Sequence, residues 1–138
     1  MKVRIALSLL LMTACLIAYG QGKKSDKAGK HGGAAAEKGL IKVSVMYPFA
    51  EGKKFDMDYY QNSHMPMVAG FLGANLVKYT IEKGLASGIP NQPLPYAAIG
   101  IFYVKSLEEY QSAMAPNRDA IRADIPKYTD IAPIILVS

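Results

Sequence analysis

The chain has 138 residues, 51% of them hydrophobic and 20% charged, which fits one globular domain and excludes a disordered or collagen-like composition. Its net charge of +5 does not describe a nucleic-acid surface, because from residue 40 onward nine basic side chains balance nine acidic ones and the excess lies wholly before that point. The single cysteine, Cys15, leaves the domain without a disulfide or a thiolate metal site.

Residues 1–20 read as an export signal. Lys2 and Arg4 precede an apolar run at residues 5–18, shorter than the roughly 20 residues a membrane span needs. Ala18-Tyr19-Gly20 supplies small residues at an A-x-A-like site, so cleavage is expected after Gly20 and the protein is expected to be periplasmic or secreted. Leu11-Met12-Thr13-Ala14-Cys15 resembles a lipobox, and only lipidation of Cys15 would place the protein on a membrane. Residues 21–39, rich in Gly, Lys and Ala, have no large apolar side chain and predict a flexible basic linker. His31 within it has no second metal ligand nearby.

The domain is expected over residues 40–138. Ile41, Val43, Val45 and Tyr47 alternate with Lys42, Ser44 and Met46, the pattern of a half-buried strand. Asp56 is placed to cap a helix that starts at Met57, runs to about His64, bends near Pro66 and continues toward Leu72. A second strand follows at residues 76–83, with Val77, Tyr79 and Ile81 on one face. Residues 84–95 form a long hairpin loop, and residues 96–104 a central strand in which Gly100 predicts a close approach. Ser106 and Glu109 make a capping box for a helix through Met114. Pro116 is expected to restart a second helical piece from Asn117 to about Asp124, and residues 131–137 are the last strand, with Pro133 at an edge or bulge.

The order β-α-β-β-α-β is the ferredoxin-like pattern: an α+β fold with an antiparallel four-stranded sheet and both helices on one face. The opposite face is left open. Tyr, Val and Ile side chains on it would form an apolar patch too large for a monomer, which predicts a homodimer formed sheet on sheet. Met46, Met57, Met65, Met67 and Met114 read as adaptable core.

His64 is the only histidine of the domain, and Tyr60 precedes it by one helical turn on the same face. Histidine titrates near neutrality, so His64 is the candidate general base or acid, with Tyr60 or Tyr79 bonding the substrate oxygen that gains charge. The other role open to His64 is to brace the bend before Pro66. Asp58 lies off the His64 face and serves the helix N-terminus together with Asp56. Tyr128, Thr129 and Asp130 read as a turn before the last strand, with Tyr128, and Phe71 on the first helix, as candidate substrate-binding rings. No metal site, glycine-rich phosphate loop, nucleophile elbow or dinucleotide motif is visible, so no cofactor is expected.

Two segments carry a family resemblance. Phe55-Asp56-x-Asp58-Tyr59-Tyr60-x-x-x-His64-x-Pro66 resembles the first-helix signature of the EthD family. Asp124-Ile125-Pro126-Lys127-Tyr128-Thr129-Asp130-Ile131-x-Pro133 resembles its C-terminal signature. The resemblance implies a dimeric α+β barrel. Its superfamily includes small-molecule isomerases, cyclases, decarboxylases and cofactor-free monooxygenases, some of which place a His in a pocket between helix and sheet with a Tyr beside it. The expectation is a homodimeric, cofactor-free enzyme moving a proton on a small apolar or aromatic, oxygen-bearing molecule. Non-catalytic binding of such a molecule, or a purely structural dimer, is the alternative. The export signal and linker depart from most members of the family.

Overall fold

A computed structural model describes residues 37–138; the expected export signal, Cys15 and most of the expected basic linker lie outside the described residues. Four strands form one antiparallel sheet in the order β2-β3-β1-β4, with β1 at Ile41–Pro48, β2 at Leu76–Lys83, β3 at Tyr96–Val104 and β4 at Ile134–Val137. Two helical elements join them: α1, in consecutive pieces from Met57 to Leu72, and α2 at Leu107–Asp124. Among the described residues no helix is long and apolar enough to cross a membrane.

Register explains which side chains the helices cover. Val43 pairs with Phe102 and Val45 with Gly100 across β1 and β3, while Tyr79 pairs with Phe102 across β3 and β2. Alternation therefore places Val43, Val45, Tyr47, Ala98, Phe102 and Val104 on the helix-covered side. There they join Tyr60, Met65, Val68 and Leu72 of α1 in the core. Gly100 lies beneath α1, and a Cβ there would run into the Tyr60 hydroxyl and the end of Met65. This is the close approach expected at that strand position.

Both helix starts are capped as expected. Asp56 accepts the Tyr59 N–H at 3.0 Å and Ser106 accepts the Glu109 N–H at 3.3 Å. The reciprocal arm of the capping box is absent, because the Ser106 N–H bonds instead to the side chain of buried Asn75, at 2.9 Å. Asn75 also accepts from Lys105 N–H and donates to the Ser106 carbonyl, tying the exit of α1 to the entry of α2.

Three expectations are corrected. The irregularity of the first helix begins ahead of Pro66. A π-helical segment, Tyr60–His64, separates α-helical Met57–Tyr59 from Met65–Leu72, with the Met65 N–H bonded to the Tyr60 carbonyl. Pro66 falls at the start of the following piece, where its missing N–H is tolerated. The second helix is continuous through Pro116; the Asn117 side chain donates to the Ala113 carbonyl at 2.8 Å and meets a backbone acceptor where the proline disturbs the ladder. The last strand begins at Ile134, not at residue 131, because Pro133 offers no ladder donor and Ile131 turns into the core instead.

The open sheet face differs in composition from the expectation. The valines Val43, Val45 and Val104 face the helices, so the open face carries Met46, Ile99, Ile101, Ile134 and Leu136. Tyr103 also lies on it but is covered: Lys42 and Lys78 sit 5.3 and 4.5 Å from its ring centroid. Both lysines also bond Glu37, in the turn at residues 37–39 where the expected linker meets the sheet.

Candidate functional site

The π-helical segment has a geometric consequence for the site. It turns both Tyr60 and His64 inward, so that a tyrosine 1% exposed and a histidine 4% exposed stack with ring centroids 5.7 Å apart. Short π segments inside α-helices recur at functional sites because they re-aim side chains in this way.

His64 meets a partner from the far end of the domain. Its Nδ1 lies 2.8 Å from Oδ2 of Asp124, the last residue of α2. Asp124 is itself buried, and its Oδ1 accepts from the Tyr59 hydroxyl and from Lys127 Nζ, each at 2.9 Å. Burial works to raise the Asp124 carboxyl, but the bonds from His64, Lys127 and Tyr59 outweigh it and hold the group below the ordinary carboxylate range. Burial lowers His64, against the pull of Asp124. At neutral pH the pair is therefore a carboxylate accepting from a neutral imidazole. Its proton sits on Nδ1, and Nε2 is left as the basic nitrogen.

A ring of aromatic side chains holds this pair. Tyr128, fully buried, lies 4.6 Å from the His64 ring, and its hydroxyl shares a 2.6 Å hydrogen bond with that of Tyr47. Tyr47 and Phe55 pack edge-on, as do Phe55 and Tyr60. Burial raises the phenols of Tyr47, Tyr60 and Tyr128, so all three remain protonated. The Tyr60 hydroxyl is buried and has no hydrogen-bond partner among the described residues.

The pair opens onto a cavity of about 390 Å³ between sheet and helices, a size suited to a small organic ligand. Its deep end is formed by Tyr47, Tyr60, His64, Met65, Val68 and Phe102. Helix α2 contributes Tyr110, Met114 and Ile121 with Gln111, Arg118 and Arg122, Ile125 follows just past its end, and Val45, Pro133 and Ile135 close the β4 side. Among the described residues no group of three His, Cys, Asp or Glu is arranged to hold a metal.

Of the residues expected at the site, His64 and Tyr60 line the cavity. Tyr128 stands behind them, bonded to the lining residue Tyr47. Tyr79 and Phe71 do not line it. Tyr79 is on edge strand β2, on the far side of β3 from the cavity, where its ring packs 6.0 Å from Phe102. Phe71 is on the last turn of α1, almost two turns past His64, while the cavity-facing side of that turn is taken by Val68. Of Tyr60 and Tyr79, Tyr60 is the one that stands beside His64 in the cavity lining. Sequence reasoning passed over Asp124, Tyr47, Arg118 and Arg122. Asp124 had one signal, a carboxylate opening the C-terminal signature segment; Asp58, off the His64 face as expected, accepts from Gln61 at 3.5 Å.

The two signature segments prove to be one structure. Phe55 bridges to Thr129, the Asp56 N–H bonds the Tyr128 carbonyl at 2.7 Å, and Thr129 donates to the Lys54 carbonyl at 2.8 Å. Asp130 accepts the Lys54 N–H at 3.1 Å. The segments meet around His64 and Asp124, which explains physically why they occur together. A family model described as the EthD domain matches residues 52–132, the span that encloses both. An EthD-like protein of Ralstonia eutropha JMP134 is 45% identical, with a TM-score of 0.69, the match covering 72% of this chain and 90% of that one. An ethyl tert-butyl ether d (EthD) family protein of Bacillus halodurans C-125 shares the fold at 18% identity and a TM-score of 0.53, over 72% of this chain and 96% of its own. A search of curated proteins found no match. With both signatures joined at one site and a family model spanning them, the chain belongs to the EthD family.

Proposed function

We propose that the protein is a cofactor-free enzyme that moves a proton on a small oxygen-bearing apolar or aromatic molecule, with His64 as the base. One observation carries this reading: a buried His64–Asp124 pair whose second ring nitrogen has no hydrogen-bond partner among the described residues, set at the deep end of an apolar cavity. Nε2 takes a proton from a carbon next to a carbonyl, or from a phenol. Asp124 holds the ring in the required tautomer and stabilises the imidazolium that forms. Tyr60, stacked beside His64 with an unpartnered hydroxyl, donates to the substrate oxygen as charge builds on it. Lys127 keeps Asp124 ionised without entering the cavity lining.

The working form is proposed to be a homodimer through the open sheet face. Met46, Ile99, Ile101, Ile134 and Leu136 support that surface, and every residue of β4 is exposed in the single chain. Export, by simple cleavage after Gly20 or as a lipoprotein at Cys15, is proposed from the sequence of residues 1–20 alone. Neither nucleic acid nor metal enters this reading.

The proton-transfer role is tested by deuterium uptake. A panel of enolisable aromatic ketones and keto acids is incubated in D₂O and followed by proton NMR. Uptake above the buffer rate that disappears in His64→Gln is expected. Binding with no enhanced uptake overturns catalysis in favour of a binding module, and enhanced uptake indifferent to His64→Gln overturns His64 as the base.

A further inference from the structure

We propose that the ligand of the His64 cavity is an organic anion, an apolar body bearing a carboxylate, whose charged group is received at the cavity mouth by Arg118 and Arg122. This deepens the preceding reading and rests on it. Arg118 and Arg122 are one turn apart on α2 and both line the cavity. Both are exposed, whereas Tyr60, His64 and Met65 are buried, so the arginines belong to the mouth and the His64 pair to the deep end. Arg118 precedes Asp124 by about 9 Å of helix rise, which sets the two ends apart.

The chemistry of the lining is one-sided. It contains two guanidinium groups and no Asp or Glu. Among the described residues no carboxylate forms an ion pair with either arginine, although the domain as a whole is charge-balanced. Asp124 does not need them, since His64, Tyr59 and Lys127 already occupy its oxygens. The negative end of the helix dipole accounts for a cation at Arg122, in the last turn, but Arg118 lies a turn earlier, where that effect has faded. Two planar forks over an apolar cavity match a carboxylate, which a guanidinium binds in bidentate fashion. Anchored there, the apolar body lies along Met114, Ile121 and Phe102 and presents its far end to His64.

The test compares naphthalene-1-carboxylate with its neutral analogue naphthalene-1-carboxamide, titrated by calorimetry at low salt into the full-length protein. A carboxylate preference of about tenfold is expected for the unaltered protein, the size of one charge-assisted hydrogen-bond pair. Arg118→Gln/Arg122→Gln is expected to bring the ratio close to one, and Arg118→Lys/Arg122→Lys to retain part of it. Unaltered circular dichroism establishes that these variants fold. His64→Gln keeps the preference, because the carboxylate is held at the mouth. Equal affinity of both probes for the unaltered protein, or a preference surviving in the double Gln variant, overturns the anion site and leaves proton transfer standing. A preference lost in His64→Gln but kept in the double Gln variant puts the anion at the deep end and also overturns it. If neither probe binds, the anion site is overturned, and deuterium uptake decides proton transfer by itself.

Discussion

The deep end and the mouth of the cavity are built by opposite means. At the deep end, His64 and Asp124 are linked by side chains already committed to one another, and the phenols of Tyr47 and Tyr128 bond across a sequence separation of 81 residues. At the mouth, Gln111, Arg118 and Arg122 stand exposed on one helix. Burial makes the His64–Asp124 and Tyr47–Tyr128 groups depend on their partners, since a donor or acceptor orphaned there cannot turn to water. The mouth has water as an alternative partner, so it can change with little effect on folding. Under the proposed function, the chemistry that needs a fixed geometry falls at the rigid end and selection of the ligand at the adaptable one.

That contrast can be broken most severely at Asp124. Asp124→Ala removes the acceptor for His64 and Tyr59 at once, and a loss of about 3 kcal/mol is expected, the lower range for breaking a buried pair because Lys127 reaches water. Urea unfolding measures it. Asp124→Asn keeps the shape but removes the charge, so NMR should find the His64 titration displaced still further down.

Gly100→Ala should cost about 1–3 kcal/mol, also by urea unfolding, because the new methyl displaces the Tyr60 hydroxyl and Met65. The same variant should disturb the His64 ring resonances, since Tyr60 stacks on that ring. Tyr47→Phe leaves the Tyr128 hydroxyl without its partner and should cost about 1–2 kcal/mol.

Acid sharpens the comparison by reaching only the deep end. His64 is lowered by burial, so between its ordinary value and its lower value in the folded protein the unfolded chain binds the extra proton. Stability should therefore fall as pH drops below about 6.5. Asp124, also lowered, adds a second loss as pH passes below the ordinary carboxylate range. His64→Gln should flatten the first limb and shrink the second, since the His64 bond is one of those that hold Asp124 low. The smallest effect belongs to the mouth: Arg118→Gln should change unfolding stability by less than about 0.5 kcal/mol.

The contrast also governs what could be read in advance. Strands β1 to β3, both helix caps and the close approach at Gly100 were legible, because each depends on residues within a few positions of one another. His64 and Tyr60 were legible as a pair for the same reason, being one turn apart. The π segment was not, since a bend at Pro66 and a wider turn before it satisfy the same local pattern. Tyr79 and Phe71 were named as aromatic residues of suitable chemistry, but strand order and helix facing put them outside the cavity.

The sequence by itself determined the EthD family, the α+β element order and the histidine around which the site is organised. Periodicity, capping chemistry and a family signature are all local properties of a chain. Only the tertiary structure decided which carboxylate His64 meets. Asp124 is separated from it by 60 residues and arrives because the Lys54–Asp56 and Tyr128–Asp130 segments bond to one another. It likewise decided that Arg118 and Arg122, ordinary surface cations in the sequence, face an apolar cavity in place of bulk water.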